Sequence, residues 1–443
     1  MHPPFLLLSG VLVLIQFAIS RPHAFAPLLV AIFTLPHLPL LDVGVSVTPA
    51  HLLILAGLLR AFAGRSLAWT PRNPVDLLVV FWAGWTMLSV LAHNPTHTNP
   101  LTERLLIVYN TAGGYLYART FVRTFEDFRR ASQWLAILMV ILAVPVAYEK
   151  LSGLNLSSAI ASGERAVAEI RGGRIRASGP FGHSILAGTA ASCSCFILMG
   201  LRGVGWRFWR FAGIACSLVV VYCSASSGPI LTFLAGAVGM LAWRWRRHLK
   251  LVCVTGVLVL AGLHVAMSVP VWYLIARVDL IGGSTGWHRA ELISQAFNHF
   301  DRWWFMGTDY TRDWITHGGG WDADQVDITN HYLRIGVTGG LPLLLCFLWI
   351  LHQTFRRLGK GIALAQRTAA SRSAILWSTG CSLFAHGVSL LSISYFDQTL
   401  ILLWFVIGAV PGLCTFASQT TTARAASAHR PLRSTSRPLR LLP

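Results

Sequence analysis

The sequence predicts an all-α integral membrane protein with about 12–13 transmembrane helices and two long outer (periplasmic) loops. Three observations predict it. Hydrophobic residues make up 54% of the 443 positions and charged residues 12%, about half the charged share of an ordinary soluble domain. Mean hydropathy is +0.58, too apolar for a soluble globule of this length or for a disordered chain. Several runs reach the roughly 18 apolar residues that cross a ~30 Å hydrocarbon layer, and they are too continuous for the alternation of a membrane barrel.

In chain order the apolar runs fall near 4–20, 25–41, 48–63, 76–92, 104–120, 133–148, 179–201, 211–226, 228–243, 250–268, 335–355, 375–395 and 397–416. The first run lacks a basic leader and is followed by Arg21, so it reads as a span in preference to a cleaved signal peptide. Arginines and lysines cluster in alternate turns: Arg119, Arg123, Arg129 and Arg130; Arg202, Arg207 and Arg210; Arg244, Arg246, Arg247 and Lys250; Arg356, Arg357, Lys360, Arg367 and Arg372. Two runs separate each cluster from the next. By the positive-inside rule these turns are cytoplasmic, which puts the N-terminus outside and the C-terminus inside. The net charge of +19 is then mostly topology, and nucleic acid is not an expected partner.

The chain divides into N-terminal helices over 1–148, a first outer loop over 149–178, central helices over 179–268, a long outer loop over 269–334, C-terminal helices over 335–417 and a disordered basic cytoplasmic tail over 418–443. All eight cysteines, Cys193 to Cys414, fall in apolar runs; they indicate neither disulfides nor a zinc site. No motif asks for a cofactor.

The first outer loop sets Arg165, Arg171, Arg174 and Arg176 against Glu164 and Glu169, a positive excess on the face that usually lacks one. The next helix is expected to begin at Gly179-Pro180, with proline in its first turn. A helix N-terminus beside guanidinium groups is an anion site; the plainer reading is arginines that snorkel to lipid headgroups. His183 is placed one turn into that helix. Ser224, Ser226 and Ser227 read as a tight outer hairpin.

The second outer loop holds Asp279, Glu291, Asp301, Asp309, Asp313, Asp322, Asp324 and Asp327, eight of the seventeen acids. Ala290, Ile293, Ala296 or Phe297, and Phe300 recur at helical spacing, with Trp303 and Trp304 after them, the pattern of an amphipathic interfacial helix. Arg289 leads it. Asp327, Asn330 and His331 precede the eleventh run and combine base and hydrogen-bonding capacity at its mouth; the plainer reading of His331 is an interfacial histidine with a satisfied hydrogen bond. Asp322, Asp324 and Asp327 have cation-like spacing but lack the glycine and final glutamate of a calcium loop, so no metal site is expected.

Four segments then carry a resemblance over about residues 145–355: YEKLSGLNL, RASGPFGHSILAG, Arg289 with its helix to Gly307, and NHYLRIGVTGGLP. In order and shared side the chain resembles the bacterial O-antigen ligase and O-antigen polymerase superfamily of membrane glycan transferases. The resemblance implies an inverting glycosyltransferase of the inner (plasma) membrane. Its active face is periplasmic or extracellular, its donor a polyprenyl diphosphate-linked (undecaprenyl diphosphate) glycan, and its acceptor a glycan or a lipid, as in lipopolysaccharide or exopolysaccharide assembly. It implies diphosphate binding by Arg174 or Arg176 and by Arg289, and a catalytic group drawn from Asp327, Asn330 and His331. Ligases carry a His-Asn pair before a Tyr-Leu or similar pair. Aligning Tyr332-Leu333 leaves Asn330 in place, puts Thr329 at the histidine position and displaces His331 by two, which favours a polymerase-like member. The competing class is a secondary transporter or flippase for an anionic solute or lipid-linked glycan. Such carriers place acids within their spans, whereas Glu103, Glu149 and Asp397 lie at run edges here.

Overall fold

The computed structural model describes residues 3–42, 46–67, 73–93, 99–164, 166–201, 206–277, 286–315, 325–366 and 370–428. Among the described residues it is helical apart from three two-stranded antiparallel sheets. The N-terminal part comprises α1 (Pro3–Ala18), α2 (Ala26–Thr34), the hairpin β1 (Leu41–Asp42) and β2 (Ser46–Val47), α3 (Pro49–Ala63) and α4 (Pro74–Leu88). Then come α5 (Pro100–Val108), a π turn (Tyr109–Gly113), α6 (Gly114–Phe121) and α7 (Phe125–Ser152). The first loop folds as β3 (Leu154–Asn155), α8 (Leu156–Ser162), β4 (Ala166–Val167), β5 (Glu169–Arg171) and β6 (Arg174–Arg176). It is followed by α9 (Ser184–Met199), α10 (Arg207–Cys223), α11 (Ser227–Leu241) and α12 (Leu249–Ala266). The second loop contains α13 (Gly286–Asn298) and α14 (Phe300–Trp303), and the chain ends with α15 (His331–Ala365), α16 (Ala370–Ser389) and α17 (Asp397–Ala428).

Each expected apolar run is matched by helix. The starts follow local chemistry. Asn73 accepts from Val75 N at 2.9 Å to cap α4. Thr124 and Asp127 cap α7 reciprocally, each side chain accepting from the other's backbone N–H. By length and hydropathy, four stretches among the described residues suffice to cross a membrane: Pro74–Ala92, Phe125–Ser152, Ser227–Ala266 and His331–Ala365. That is fewer than the expected 12–13. The physical reason is interruption and shortness. The α5–α6 run is broken by its π turn, and α2, with 9 residues, is only about 14 Å long. The expected disordered tail begins inside α17, whose backbone stays helical to Ala428; residues 429–443 lie outside the described set.

Contacts between helix ends define two distinct faces of the bundle. On one face the start of α4 meets the end of α6 through Asp76 and Arg119. The end of α11 meets the start of α16, where Trp377 Nε1 donates to Gly239 O at 3.1 Å. Arg372 lies over Phe125 on the same face. We call this the basic face. On the other, the loop face, Ala177 N donates to Cys223 O, His37 N to Pro180 O and His331 N to Leu390 O. The two long loops both lie here.

The core runs through α9 and the first half of α17. From Leu186 to Leu198 every residue of α9 is buried, packed among α7, α10, α11 and α16. Its Ser, Thr, Ala, Gly and Cys side chains let helix backbones approach closely. By contrast, α12 buries no residue.

Candidate functional site

The first loop is pinned to the end of α7. Glu149 is buried and its Oε2 accepts from Ser178 N at 3.2 Å and Gly179 N at 2.8 Å. Lys150 Nζ donates to Ile175 O at 2.6 Å. Asn155 Nδ2 donates to Gly179 O at 2.9 Å. Gly179 has φ +57, and a Cβ there would meet Val146 Cγ2 at 2.7 Å, so this turn admits little but glycine. The turn delays the helix. α9 begins at Ser184 and not at Gly179-Pro180, and His183 is its N-cap, with Nδ1 accepting from Ile185 N at 3.1 Å. The expected proline-led N-terminus is thereby corrected.

The hairpin of β5 and β6 pairs Glu169 with Arg176 and Arg171 with Arg174. Arg174 sits exposed next to the tip, whereas Arg176 is 4% exposed. Ser226, from the α10–α11 turn, fixes the Arg176 guanidinium: its Oγ accepts from Nη2 at 2.6 Å and Nε at 3.2 Å. Nη1 donates to Glu169 Oε1 at 2.5 Å. The other oxygen, Glu169 Oε2, lies 3.7 Å from His183 Nε2. Because His183 Nδ1 accepts a backbone N–H, the neutral ring carries its proton on Nε2. Burial holds the His183 pKa below its ordinary value and Arg176 pushes the same way, with Glu169 and Asp327 opposing. A cleft of about 300 Å³ opens here, lined by Glu169, Arg176, His183, Ser184, Asn155 and His37 among others.

The second loop builds a small core of its own from Leu292, Ala296, Trp303, Trp314, Val326, Ile328 and Val337. The expected helix is present as α13, but its inner face packs on this core, and Trp303 is buried there. Arg289 lies in the first turns of α13. Its Nε is buried without a partner, and it makes no hydrogen bond or ion pair among the described residues. Burial lowers the pKa of its guanidinium, and the like charges of Arg171 and Arg176 lower it further, so Arg289 lies within electrostatic range of the first loop. Asp327 likewise acts on His183. Its backbone carbonyl lies 3.4 Å from His288 Nε2, and its carboxylate has no ion pair among the described residues. Arg176 thus lies within electrostatic range of Arg289, and Asp327 within range of His183.

Asn330 and His331 do different work. Asn330 Oδ1 caps α15, accepting from Leu333 N at 3.2 Å. His331 is buried, and its Nδ1 accepts from Tyr395 N at 3.2 Å, holding the α16–α17 connection against the start of α15. Asp322 and Asp324 lie outside the described residues. Among the described residues no group of three or more His, Cys, Asp or Glu side chains is arranged to hold a metal ion.

A second polar cluster joins three separate segments. Asp309 Oδ1 lies 3.4 Å from His93 Nε2 and 3.7 Å from Arg104 Nη2, and Arg104 Nη1 lies 3.1 Å from Glu103 Oε2. Beside it α15 is broken at Gly339 and Gly340, and Gly340 has φ +77. A Cβ on Gly340 would meet Phe305 O at 2.0 Å. Leu341 N donates to Trp304 O at 2.7 Å and Trp85 Nε1 to Gly339 O at 2.7 Å. Sequence reading missed His93, Arg104 and the role of Ser226, because nothing local marks residues that meet only in three dimensions. The GGLP segment was the one visible signal of the break.

No protein-family model matches this sequence, and comparison with curated proteins gives no match.

Proposed function

We propose that this chain is a multi-pass inner-membrane glycan transferase that uses a polyprenyl diphosphate-linked oligosaccharide as donor, polymerase-like in type. The observation that carries the reading is the meeting of Arg176 and Arg289. They come from loops far apart in sequence, the charge of Arg176 acts on Arg289, and Arg289 Nε is buried with no hydrogen-bond partner among the described residues. A diphosphate leaving group gains charge as its bond to the sugar breaks, and fixed guanidinium groups away from bulk water stabilise that charge. Of the two first-loop arginines, the buried Arg176 suits this role. Asp327, whose carboxylate has no ion pair among the described residues and acts on His183, is the group assigned to orient or deprotonate the acceptor hydroxyl. Asn330 and His331 position the mouth of α15. Attack on the anomeric carbon from the face opposite the diphosphate inverts it. In this reading the loop face is periplasmic or extracellular, the basic face cytoplasmic, the acceptor a glycan or lipid, and α12 is covered by membrane lipid.

A broken helix such as α15 is also a feature of secondary transporters, where the break lines a solute site. Here residues 304–305 occupy the break, which favours the transferase.

Two measurements test the proposal. A cysteine introduced at residue 172 should react with an impermeant reagent in intact cells or spheroplasts, and one at residue 247 only after lysis. Membranes containing the chain should extend or transfer glycan from a polyprenyl diphosphate donor. Reversed labelling, or no transfer above membranes lacking the chain, would sink the reading.

A further inference from the structure

The Glu169 carboxylate is shared between two donors. One oxygen receives Arg176 Nη1 at 2.5 Å and the other faces His183 Nε2 at 3.7 Å. Two oxygens of a phosphate would present themselves to the same donors with similar spacing. The two donors are fixed independently of Glu169: Ser226 holds the rest of the Arg176 guanidinium, and the Ile185 backbone N–H orients the His183 ring. The carboxylate is the loose member. The Glu169 side chain is 47% exposed against 4% for that of Arg176, and all of β5 is exposed. The charges around it favour an anion larger than one carboxylate: Arg171 adds to the positive field at both Arg176 and His183, Arg171 and Arg176 add to it at Arg289, and Glu169 with Asp327 opposes it at His183.

We propose that Glu169 is an internal stand-in for ligand phosphate. In the free protein its two oxygens occupy the place of phosphate oxygens between Arg176 and His183; an incoming phosphate group takes Arg176 Nη1 and the His183 Nε2–H, and Glu169 turns out to solvent. His183 is then a hydrogen-bond donor to the anion and not a base. This deepens the diphosphate reading by assigning the anion's immediate contacts, but the contacts are testable without any glycan. An ion pair whose acid is half exposed is weakened by solvent screening on that side and open to displacement, and a hydrogen bond to a charged oxygen repays the exchange.

The test is titration of the full chain in lipid nanodiscs with inorganic pyrophosphate, with geranylgeranyl diphosphate, and with uncharged geranylgeraniol. Glu169→Gln should tighten pyrophosphate about 3- to 10-fold by removing the competing charge. A gain of affinity does not arise from misfolding. His183→Asn keeps a side-chain oxygen for the α9 cap and should weaken pyrophosphate about 10-fold. Unchanged or weakened binding in Glu169→Gln, or no pyrophosphate binding by either wild type or Glu169→Gln, overturns the inference. Tighter geranylgeranyl diphosphate with unchanged pyrophosphate also overturns it, since the lipid tail would then be the responding part. If pyrophosphate behaves as expected while no glycan is transferred, the phosphate contacts stand and the transferase reading falls.

Discussion

Two sets of arginines, those between residues 119 and 130 on the basic face and the pair Arg176 and Arg289 on the loop face, have opposite fates. On the basic face each one between residues 119 and 130 is answered within the fold. Arg119 binds both oxygens of Asp76, Arg123 donates to Thr120 O and Ser66 O, and Arg129 and Arg130 share Glu126. On the loop face, Arg176 holds a half-exposed acid and Arg289 has no ion pair among the described residues. A cation with a partner from its own chain fastens helices. A partly buried cation without one carries a desolvation cost that a bound anion would relieve. On the function proposed above, the difference separates arginines that serve folding from arginines that serve a ligand.

That contrast can be broken by acid substitutions first. Asp327→Asn should lower glycan transfer about 10²- to 10⁴-fold, the range for removal of a general base, with donor binding retained. Equal transfer rates in Asp327→Asn and wild type would return this carboxylate to the class of solvated loop acids. Next in size, Arg119→Met leaves Asp76 without its cation and should cost about 3 kcal/mol of stability, read as a lower unfolding temperature in detergent. Transfer per folded molecule should stay as in wild type; a selective loss of turnover would place a functional cation on the wrong face. Arg289→Lys reverses the pattern. Unfolding should be unchanged, while transfer falls about 30- to 1000-fold, or about 2–4 kcal/mol, because lysine keeps the charge but loses the planar fork. Wild-type transfer in both Arg289→Lys and Arg289→Ala would remove this residue from the site. The smallest effect belongs to Arg129→Ala, whose partly exposed partner Glu126 is one turn away; after solvent screening it should shift stability by about 0–1 kcal/mol.

The helices were legible because apolar runs and their flanking charges are local signals, and each run returned as helix. What governs the site was less local. Arg174 and Arg176 have the same parity in a strand, so alternation does not separate them; the distance from the Gly172-Gly173 tip does, and that is known only once Glu169 pairs with Arg176. His183 was placed inside a helix because Pro180 looked like a first-turn residue. The competing demand was the glycine turn held by Glu149, whose partner amides lie about thirty positions ahead of it. Asn330 and His331 drew attention as polar residues at a helix mouth, yet the same position is where caps and packing contacts are needed.

The break in α15 bears on the order in which the molecule is built. The carbonyl of Gly339 is answered by Trp85, 254 positions earlier, and the amide of Leu341 by Trp304. A helix–turn–helix unit added during synthesis could complete its hydrogen bonds alone, but α15 cannot. Its two halves are joined by groups supplied from the first third of the chain and from the preceding loop, and closing so long a contour carries an entropic cost before any contact repays it. α4 must therefore stay available until α15 emerges, and the bundle closes as a ring late in its assembly.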